Sequence, residues 1–436
     1  MGWNGPKIGL QGLMWSRRLP LIRSTRIRLP LAIGWAAVLC AVLLAQTYVR
    51  ARRPNGIDLT SYLLSADALW HGGSPYLLPT PFPYLYPATL AFLLIPLTVV
   101  PATLAMLAWF ALNAAAAVWS VRRIVSALRP EARLADLAPF LAIFFTVFFP
   151  IAQSNLRNGQ VNFIVLALSV FAALMNTVGG VGEAQGDEKD AAAPAAMPRR
   201  LRRGISVSTR RGWGPAASEK KLATKSMLCW SLATAMKVLP VVLAPYFMLR
   251  RSWHWMILSV ALIAAWCVLP FVVVGTRIVD IYEQFWRVLV ATSQSRVETL
   301  DFSLAGTLSW ITRAPMTSVF EASGAAVVLG WIIAVDGRRL RVESLRPMAL
   351  YLLAIPLISP HSEVHHLAFM LPAAAAVTGA LWWDSTGASR RQQLSAAIAV
   401  TLYLVATASP IFAGPLFCAS LIAFGVALMN VPAPGP

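Results

Sequence analysis

The sequence carries little charge, and very little of it is negative. Only 13% of its 436 residues are charged, with 18 acidic residues against 37 basic ones. Soluble domains carry about 25% charged residues, so this composition excludes an ordinary soluble protein. With 58% hydrophobic residues, the chain has the composition of a membrane protein.

Several motifs that bind metals or nucleotides are absent. The cysteines at 40, 229, 267 and 418 lie apart within apolar runs, so their spacing fits neither a zinc site nor a disulfide framework. The sequence has no Gly-x-x-x-x-Gly-Lys-Ser/Thr loop, no other nucleotide-binding glycine-rich motif and no His-Glu-x-x-His pair. We therefore expect no resident metal and no other cofactor, and the sequence leaves the need for a divalent cation open.

Long apolar runs alternate with short arginine-rich joins along most of the chain. Runs of about 20 residues match the hydrocarbon thickness of a bilayer. Because basic joins remain in the cytoplasm, the arginines predict about twelve crossings with both termini inside. Topology then accounts for the net charge of +19, and we expect membrane lipid but no nucleic acid as a partner. The prediction is an all-α, multi-pass protein of the cell membrane.

The same pattern predicts the domain organisation. Residues 1–30 are a basic cytoplasmic N-terminus, and residues 31–436 are a single transmembrane domain. Within it, residues 50–100 are an outer loop whose short, proline-interrupted apolar run indicates a re-entrant or juxtamembrane helix. Residues 179–226 are polar and strongly basic, which indicates a disordered cytoplasmic loop.

Three further segments are assigned from their apolar and polar content. Residues 137–152 are predicted to be a single crossing, and residues 275–312 an outer loop. Lys237 and Pro240 interrupt the apolar run at 227–249. A proline breaks helical hydrogen bonding and a mid-membrane lysine is costly, so we predict two short helices that meet there near the outer face.

On this topology the unusual polar groups share the outer face, where such groups are functional candidates. They are Asp58 and Asp67, the turn from Asn155 to Asn162 with Arg157 and Gln160, Lys237, the loop from Arg277 to Asp301, and the motif from His361 to His366 with His365; Tyr76 and Tyr86 lie in the same outer loop as Asp58. Structural alternatives remain open. Asp58 is as well suited to be a helix N-cap as a general base, and Lys237 can snorkel to the interface.

Together these groups indicate sugar transfer. A carboxylate can take a proton from a hydroxyl, and Lys, Arg and His side chains can hold a phosphate leaving group. Aromatic side chains can stack on sugar rings. Because nucleotide-binding motifs are absent, we expect the activated donor to be a lipid-phosphate sugar.

Five motifs in order carry a family resemblance. They are Asp58 with Pro75-Tyr76 and Tyr86-Pro87, then Asn158-Gly159-Gln160-Val161-Asn162, then Ala235-Met236-Lys237-Val238-Leu239-Pro240, then Phe302-Ser303-Leu304, and finally Ile358-Ser359-Pro360 with His365-His366. In this order the sequence resembles glycosyltransferase family 87. That family groups polyprenyl-phosphate-dependent membrane transferases and includes the phosphatidylinositol-mannoside α-1,2-mannosyltransferases.

The resemblance implies a fold and an activity. The fold would be that of the C-type glycosyltransferases (GT-C). The activity would be inverting transfer of a hexose, with mannose expected, from a polyprenyl-phosphate sugar to a glycan or glycolipid acceptor on the extracytoplasmic face. Asp58 would be the catalytic base, and Asp67, Tyr76, Tyr86 and Ser303 would support the site.

The resemblance also suggests which residues contact the donor, and it leaves alternatives. It suggests Lys237, His365 and His366 near the donor phosphate or the acceptor. From their place at the outer face we add His361, Arg157, Gln160 and Asn162 as contacts of the donor phosphate or sugar. A polyprenyl-phosphate arabinofuranosyltransferase is the alternative within the class, and a lipid or solute transporter is the alternative outside it. A transporter would place ionisable residues near the bilayer midplane and show paired repeats, neither of which the sequence favours.

Overall fold

The computed structural model describes residues 25–80, 82–175, 217–294, 301–313, 318–340, 345–359, 362–384, 388–409 and 412–431. Within these ranges the chain is helical and contains no strand, which confirms the predicted all-α class. The α-helices are α1 (Thr25–Ala51), α2 (Asp58–Trp70), α3 (Ala88–Thr98), α4 (Ala102–Leu128), α5 (Leu134–Val147), α6 (Phe149–Asn158), α7 (Asn162–Leu174), α8 (Ala217–Met236), α9 (Ala244–Met248), α10 (Trp253–Val268), α11 (Phe271–Val274), α12 (Ile278–Gln294), α13 (Leu304–Thr312), α14 (Ser318–Arg339), α15 (Leu345–Ile358), α16 (Leu371–Asp384), α17 (Arg390–Ala408) and α18 (Ala413–Met429). Short 3-10 helices lie at Leu239–Leu243, Gly275–Arg277 and Val364–Met370.

Several of these helices suit a bilayer. In the described part of the chain five are long and apolar enough to cross a membrane, and a sixth results if one bent pair counts as a single span. The five are Leu29–Ala51, Ala102–Leu128, Trp253–Thr292, Ser318–Arg338 and Val364–Trp383, and the bent pair is Ala135–Val147 with Phe149–Asn158. Five shorter apolar helices accompany them. A helical membrane protein is thus confirmed, while the count of about twelve crossings and the re-entrant helix remain predictions.

Burial separates an inner group of helices from an outer one. Most of α15 is inaccessible, and it packs against α16 and the 3-10 helix that leads into α16. By contrast, α1 and α14 expose large apolar side chains such as Leu31, Trp35, Val319 and Val327. Soluble monomers rarely expose apolar surfaces of this extent, so the outer helices are suited to contact with lipid.

The run at 137–152, predicted to be a single crossing, is bent. It divides into α5 and α6, which meet at an angle of 76° next to Phe148. Pro150 lies in the first turn of α6. Proline has no N–H and its ring clashes with the preceding helical turn, so it begins a new helix more readily than it continues one.

Two predicted loops contain helix. Residues 217–226 belong to α8, because this Lys- and Ala-rich stretch favours helix and leads directly into the apolar part of α8. The rest of the predicted disordered loop, 179–216, lies outside the described residues. In the segment 275–312, α12 turns Ile281 and Phe285 inward and Glu283 and Trp286 outward. This 3.6-residue period marks an amphipathic helix.

The predicted interruption near Lys237 is present. The α8 helix ends at Met236, and a 3-10 helix begins at Leu239. The Pro240 carbonyl accepts a hydrogen bond from the Trp230 indole at 2.9 Å, which ties the break to α8. Lys237 therefore lies between two helical segments, and its side chain is free to turn toward the neighbouring end of α7.

Candidate active site

Asp58 is the first residue of α2, and residues 52–57 form the turn that joins α1 to it. Gly56 gives this turn a left-handed backbone with φ of 56°, which glycine adopts without strain. Ile57 follows in an extended conformation and is buried. The N-cap position belongs to Ile57, and the Ile57 amide donates to the Thr60 hydroxyl at 3.2 Å. The N-cap role that the sequence left open is therefore not the role of the Asp58 carboxylate in this structure.

The end of α6 packs directly on the start of α2. Gly159 ends α6 with φ of 69°, and a Cβ atom there would lie 3.0 Å from Leu59 Cβ and 3.3 Å from the Leu59 backbone nitrogen. The Gly159 carbonyl accepts a hydrogen bond from the Trp109 indole at 2.8 Å. Only glycine combines this conformation with this close approach, and the approach brings Gln160 beside Asp58.

Gln160 connects the Asp58 carboxylate to two tyrosines. Its Nε2 donates to Asp58 Oδ2 at 2.6 Å, and its Oε1 accepts from the Tyr86 hydroxyl at 2.9 Å. The Tyr62 hydroxyl donates to the Tyr86 hydroxyl at 2.8 Å. The tyrosines thus fix which end of the amide faces Asp58, because an ionised carboxylate only accepts hydrogen bonds.

The tyrosines form a buried cluster behind Asp58. Tyr62, Tyr76, Tyr84 and Tyr86 are each at most 9% exposed, and the Tyr62 and Tyr86 ring centroids lie 5.0 Å apart, edge to face. The Tyr76 hydroxyl donates to the Tyr86 carbonyl at 2.8 Å. Burial raises the pKa of the Tyr62 and Tyr86 hydroxyls well above the usual range, so both remain hydrogen-bond donors. These rings support the site from within and are not an open surface for stacking on a sugar.

Lys237 belongs to a second network on the other side of Tyr86. The Lys237 ammonium donates to Asn162 Oδ1 at 2.7 Å and lies 3.3 Å from His366 Nε2. It also lies 5.2 Å from the centroid of the Tyr86 ring, within the range of a cation–π contact. The side chain is 8% exposed. It therefore does not snorkel to the surface as the structural alternative supposed.

Two asparagines hold the histidine segment against α6 and α7. Asn155 Nδ2 and Asn162 Nδ2 each donate to the His365 carbonyl at 3.0 Å. Asn162 Nδ2 also lies 3.0 Å from Asn155 Oδ1. His365 and His366 have ring centroids 4.3 Å apart, and Glu363 Oε2 lies 3.4 Å from His365 Nδ1. The loop at 155–162 and the histidine segment thus form one polar wall of the site.

Burial shifts the ionisation of Asp58 and Lys237 in opposite senses. Removal from water raises the pKa of the Asp58 carboxyl to about 6, while the hydrogen bond from Gln160 acts in the opposite direction and limits the rise. Burial lowers the pKa of the Lys237 ammonium to about 7, and the negative charges of Asp58 and Glu363 oppose that change. A general base works best when its pKa lies near the working pH. Asp58 meets this condition.

Two of the predicted site residues lie somewhat apart from this centre. Asp67 is on the exposed side of α2, where its carboxylate lies 3.5 Å from His71 Nδ1 and its side chain is 58% exposed. Ser303 is the N-cap of α13 and accepts a hydrogen bond from the Gly306 amide at 2.9 Å. The Phe302 amide beside it donates to the Ser362 carbonyl at 3.0 Å, which joins this segment to the histidine segment.

Arg157 lies at the end of α6, within electrostatic range of Arg50 and Arg53. His361 lies outside the described residues. In the ranges that the structure describes, no three His, Cys, Asp or Glu side chains come together as metal ligands.

Tyr62 and Trp109 were not among the sequence candidates, and the partner of Asn155 was not predicted. Tyr62 follows Asp58 by four positions, so the two lie on the same face of α2, a spacing that the sequence itself shows. Asn155 contacts Asn162 across the turn at Gly159, and a linear pattern does not show that contact. Trp109 comes from α4, and nothing in its local sequence distinguishes it from the other tryptophans.

The helices and the polar site define a membrane-embedded protein with an ionisable centre. A family model for glycosyltransferase family 87 matches residues 84–186 and 210–360, which together exceed half of the chain. The chain belongs to glycosyltransferase family 87, and it is a membrane glycosyltransferase. Its reaction therefore needs a sugar donor and a glycan acceptor. The matched ranges contain Tyr86, Gln160, Asn162 and Lys237, whereas Asp58 precedes them.

No curated protein and no solved structure gave a match to the chain.

Proposed function

We propose that the protein transfers a hexose, mannose in the first instance, from a polyprenyl-phosphate donor to a glycan or lipid-linked acceptor. The transfer occurs on the extracytoplasmic face and inverts the anomeric centre. The observation that carries the proposal is the partly buried Asp58 carboxylate, which Gln160 orients and whose pKa is raised to about 6 by partial removal from water. A carboxylate in this state is ionised at neutral pH and is basic enough to take a hydroxyl proton.

The chemistry follows from that carboxylate. Asp58 Oδ2 accepts the hydrogen bond from Gln160, whereas Oδ1 accepts none in the described part of the chain. In this mechanism Oδ1 therefore takes the proton of the acceptor hydroxyl. The acceptor oxygen forms a bond to the anomeric carbon as the bond from that carbon to the phosphate oxygen breaks. The phosphate departs with the electron pair, and the acceptor proton passes to Asp58. Attack from the face opposite the phosphate inverts the configuration.

The other polar groups bind the donor in this proposal. Asn162, His365 and His366 belong to the polar wall of the site, and Lys237 contacts that wall next to Tyr86. In this proposal they face the sugar or its phosphate. Preorganised donors of this kind stabilise charge as it develops, because they need no reorganisation during the reaction. In the same way we assign supporting roles to Tyr76, Tyr86 and Ser303.

A donor panel tests the proposal. Purified protein is incubated with a lipid and glycan extract as acceptor and with one labelled donor at a time. The donors are polyprenyl-phosphate mannose, polyprenyl-phosphate arabinofuranose and a nucleotide-activated mannose. We expect transfer from polyprenyl-phosphate mannose alone, with an inverted anomeric configuration in the product by NMR.

Each other outcome changes a defined part of the account. Transfer from the arabinofuranose donor would replace the sugar, and transfer from the nucleotide donor would refute the lipid-phosphate assignment. A protein that transfers no sugar but carries labelled lipid across a proteoliposome bilayer would refute the mechanism as a whole.

A further inference from the structure

Three arginines gather where the ends of α1 and α6 meet. Thr47 Oγ1 contacts the Leu156 carbonyl at 3.2 Å, which joins the last turns of the two helices. Arg50 lies three positions beyond Thr47 on the same face of α1, and Arg157 directly follows Leu156. Arg53 follows in the turn after α1, where its amide donates to the Arg50 carbonyl at 3.0 Å. We call Arg50, Arg53 and Arg157 the arginine cluster.

The arginine cluster lacks the partners that such charges need. The Nε atoms of Arg50 and Arg157 are buried and have no hydrogen-bond partner among the described residues. Neither side chain forms an ion pair with a carboxylate in that part of the chain. Buried N–H groups are almost always hydrogen-bonded, and three like charges at close range repel one another. The cluster is therefore incomplete without an anion.

Helix dipoles explain only part of this arrangement. A basic residue in the last turn of a helix interacts favourably with the negative end of the dipole, and both Arg50 and Arg157 occupy such positions. That interaction is diffuse and does not provide an acceptor for a buried Nε–H. The dipole interaction also does not explain why Arg53, which lies in the turn after α1, is close to Arg50 and Arg157.

The arginine cluster lies close to the proposed reaction centre. Arg50 is near enough for its charge to act on Asp58, and Gly159, two residues after Arg157, packs on the start of α2. α1 is also a candidate membrane span that ends at Ala51. The end of such a span lies at the bilayer interface, where the phosphate groups of lipids are found.

We infer that Arg50, Arg53 and Arg157 form a binding site for a lipid-borne phosphate beside Asp58. Guanidinium groups bind phosphate oxygens through paired N–H donors, and the orphaned Nε atoms supply such donors. The Lys237 ammonium, by contrast, already has Asn162 and His366 as neighbours. The inference rests on the proposed function for the source of the phosphate, which is the donor or a phosphate-bearing acceptor.

Binding measurements test the inference without turnover. The probe is sugar-free polyprenyl monophosphate, titrated into purified full-length protein in neutral nanodiscs and followed by tryptophan fluorescence. We expect Arg157→Gln and Arg50→Gln each to weaken binding by about ten- to a hundredfold, the range for loss of one charge-assisted hydrogen bond. Arg157→Lys should recover part of the affinity, because it restores charge without the paired geometry.

Arg52→Gln is the matched control, because Arg52 is an exposed neighbour whose guanidinium lies 4.5 Å from the Tyr48 ring centroid and outside the cluster. Its affinity should equal that of the wild type. If a variant of Arg50 or Arg157 fails to fold, as judged by gel filtration and melting temperature, Arg53→Gln is measured instead, because Arg53 is exposed. Wild-type affinity in the cluster variants would overturn the inference.

Steady-state kinetics and competition identify the source of the phosphate. A variant that raises the KM of the sugar donor alone assigns the site to the donor phosphate, and one that raises the KM of the acceptor alone assigns it to an acceptor phosphate. Competition by inorganic phosphate supports either source, whereas a site that neither lipid phosphate nor inorganic phosphate occupies refutes the inference. A protein that binds polyprenyl phosphate through these arginines but transfers no sugar would refute only the proposed function.

Discussion

Replacing Gln160 by methionine should move the acid limb of the pH–rate profile to higher pH. Methionine has a similar length, but it cannot donate the 2.6 Å hydrogen bond to Asp58 Oδ2. That bond favours the ionised carboxylate, so its loss raises the pKa of Asp58 above its present value of about 6. A protonated Asp58 cannot accept the acceptor proton. Activity is therefore lost as pH falls through this pKa, and the loss begins at a higher pH in the variant.

The size of the shift follows from the hydrogen bond. A bond to a charged group is worth about 1.5–3 kcal/mol, and one pKa unit corresponds to about 1.4 kcal/mol. A rise of about 1–2 units would lower the ionised fraction of Asp58 at pH 7 from about nine-tenths to between about a half and a tenth. The rate at pH 7 should then fall by about two- to tenfold relative to the wild type, and the ratio of variant to wild-type rate should recover near pH 9.

The assay is single-turnover transfer between pH 5 and 9 with polyprenyl-phosphate mannose. Gln153→Met is the control, because Gln153 also lies in α6 and donates at 2.8 Å to Gln46, away from Asp58. Melting temperatures separate a loss of folding from a shift in pKa. An unchanged acid limb in Gln160→Met, with folded protein, would refute the assignment of that limb to Asp58.

Three other expectations rest on the same geometry. Lys237→Met should also raise the pKa of Asp58, since a nearby positive charge is lost. The acid limb of the variant's pH–rate profile should then move to higher pH, and an unmoved limb would contradict this. Gly159→Ala should lower the melting temperature and the transfer rate together, because an added Cβ meets Leu59 and the backbone there is left-handed; a fully active, stable variant would contradict the close packing. A cysteine at the exposed Asn55, in a background without the native cysteines, should react with an impermeant maleimide in intact cells. Labelling only after permeabilisation would place the Asp58 loop on the cytoplasmic face.

The broad architecture can be predicted from the sequence because the length and apolar composition of a run predict whether it forms a membrane helix. Apolar runs between basic joins indicate a polytopic helical protein, and Pro240 beside Lys237 marks the interruption that the structure contains after Met236. The bend between α5 and α6 was not predicted, although Pro150 is visible in the sequence. Pro150 alone does not show whether the apolar run bends there or continues. That depends on how α5 and α6 pack against α1, which a linear pattern does not show.

The site is only partly predictable for a similar reason. Asp58, Gln160, Asn162 and Lys237 stand out because polar side chains are rare in such a chain, and the structure brings all four together around Tyr86. Which partner each one takes depends on contacts between distant segments. Asp67 shows the limit of the pattern, because it shares the loop and helix of Asp58 but points to solvent.

The central claim is that Asp58 takes the acceptor proton, and Asp58→Asn tests it most directly. Asparagine keeps the size of the side chain but cannot take the proton, and a positioned general base is typically worth about 10²–10⁴ in rate. Purified wild type, Asp58→Asn and, as control, Asp67→Asn are compared for binding of polyprenyl phosphate and for single-turnover transfer. We expect Asp58→Asn to bind the donor lipid as the wild type does and to transfer sugar slower by that factor, with Asp67→Asn much less affected. Near-normal transfer by a folded Asp58→Asn protein would contradict the catalytic role of Asp58.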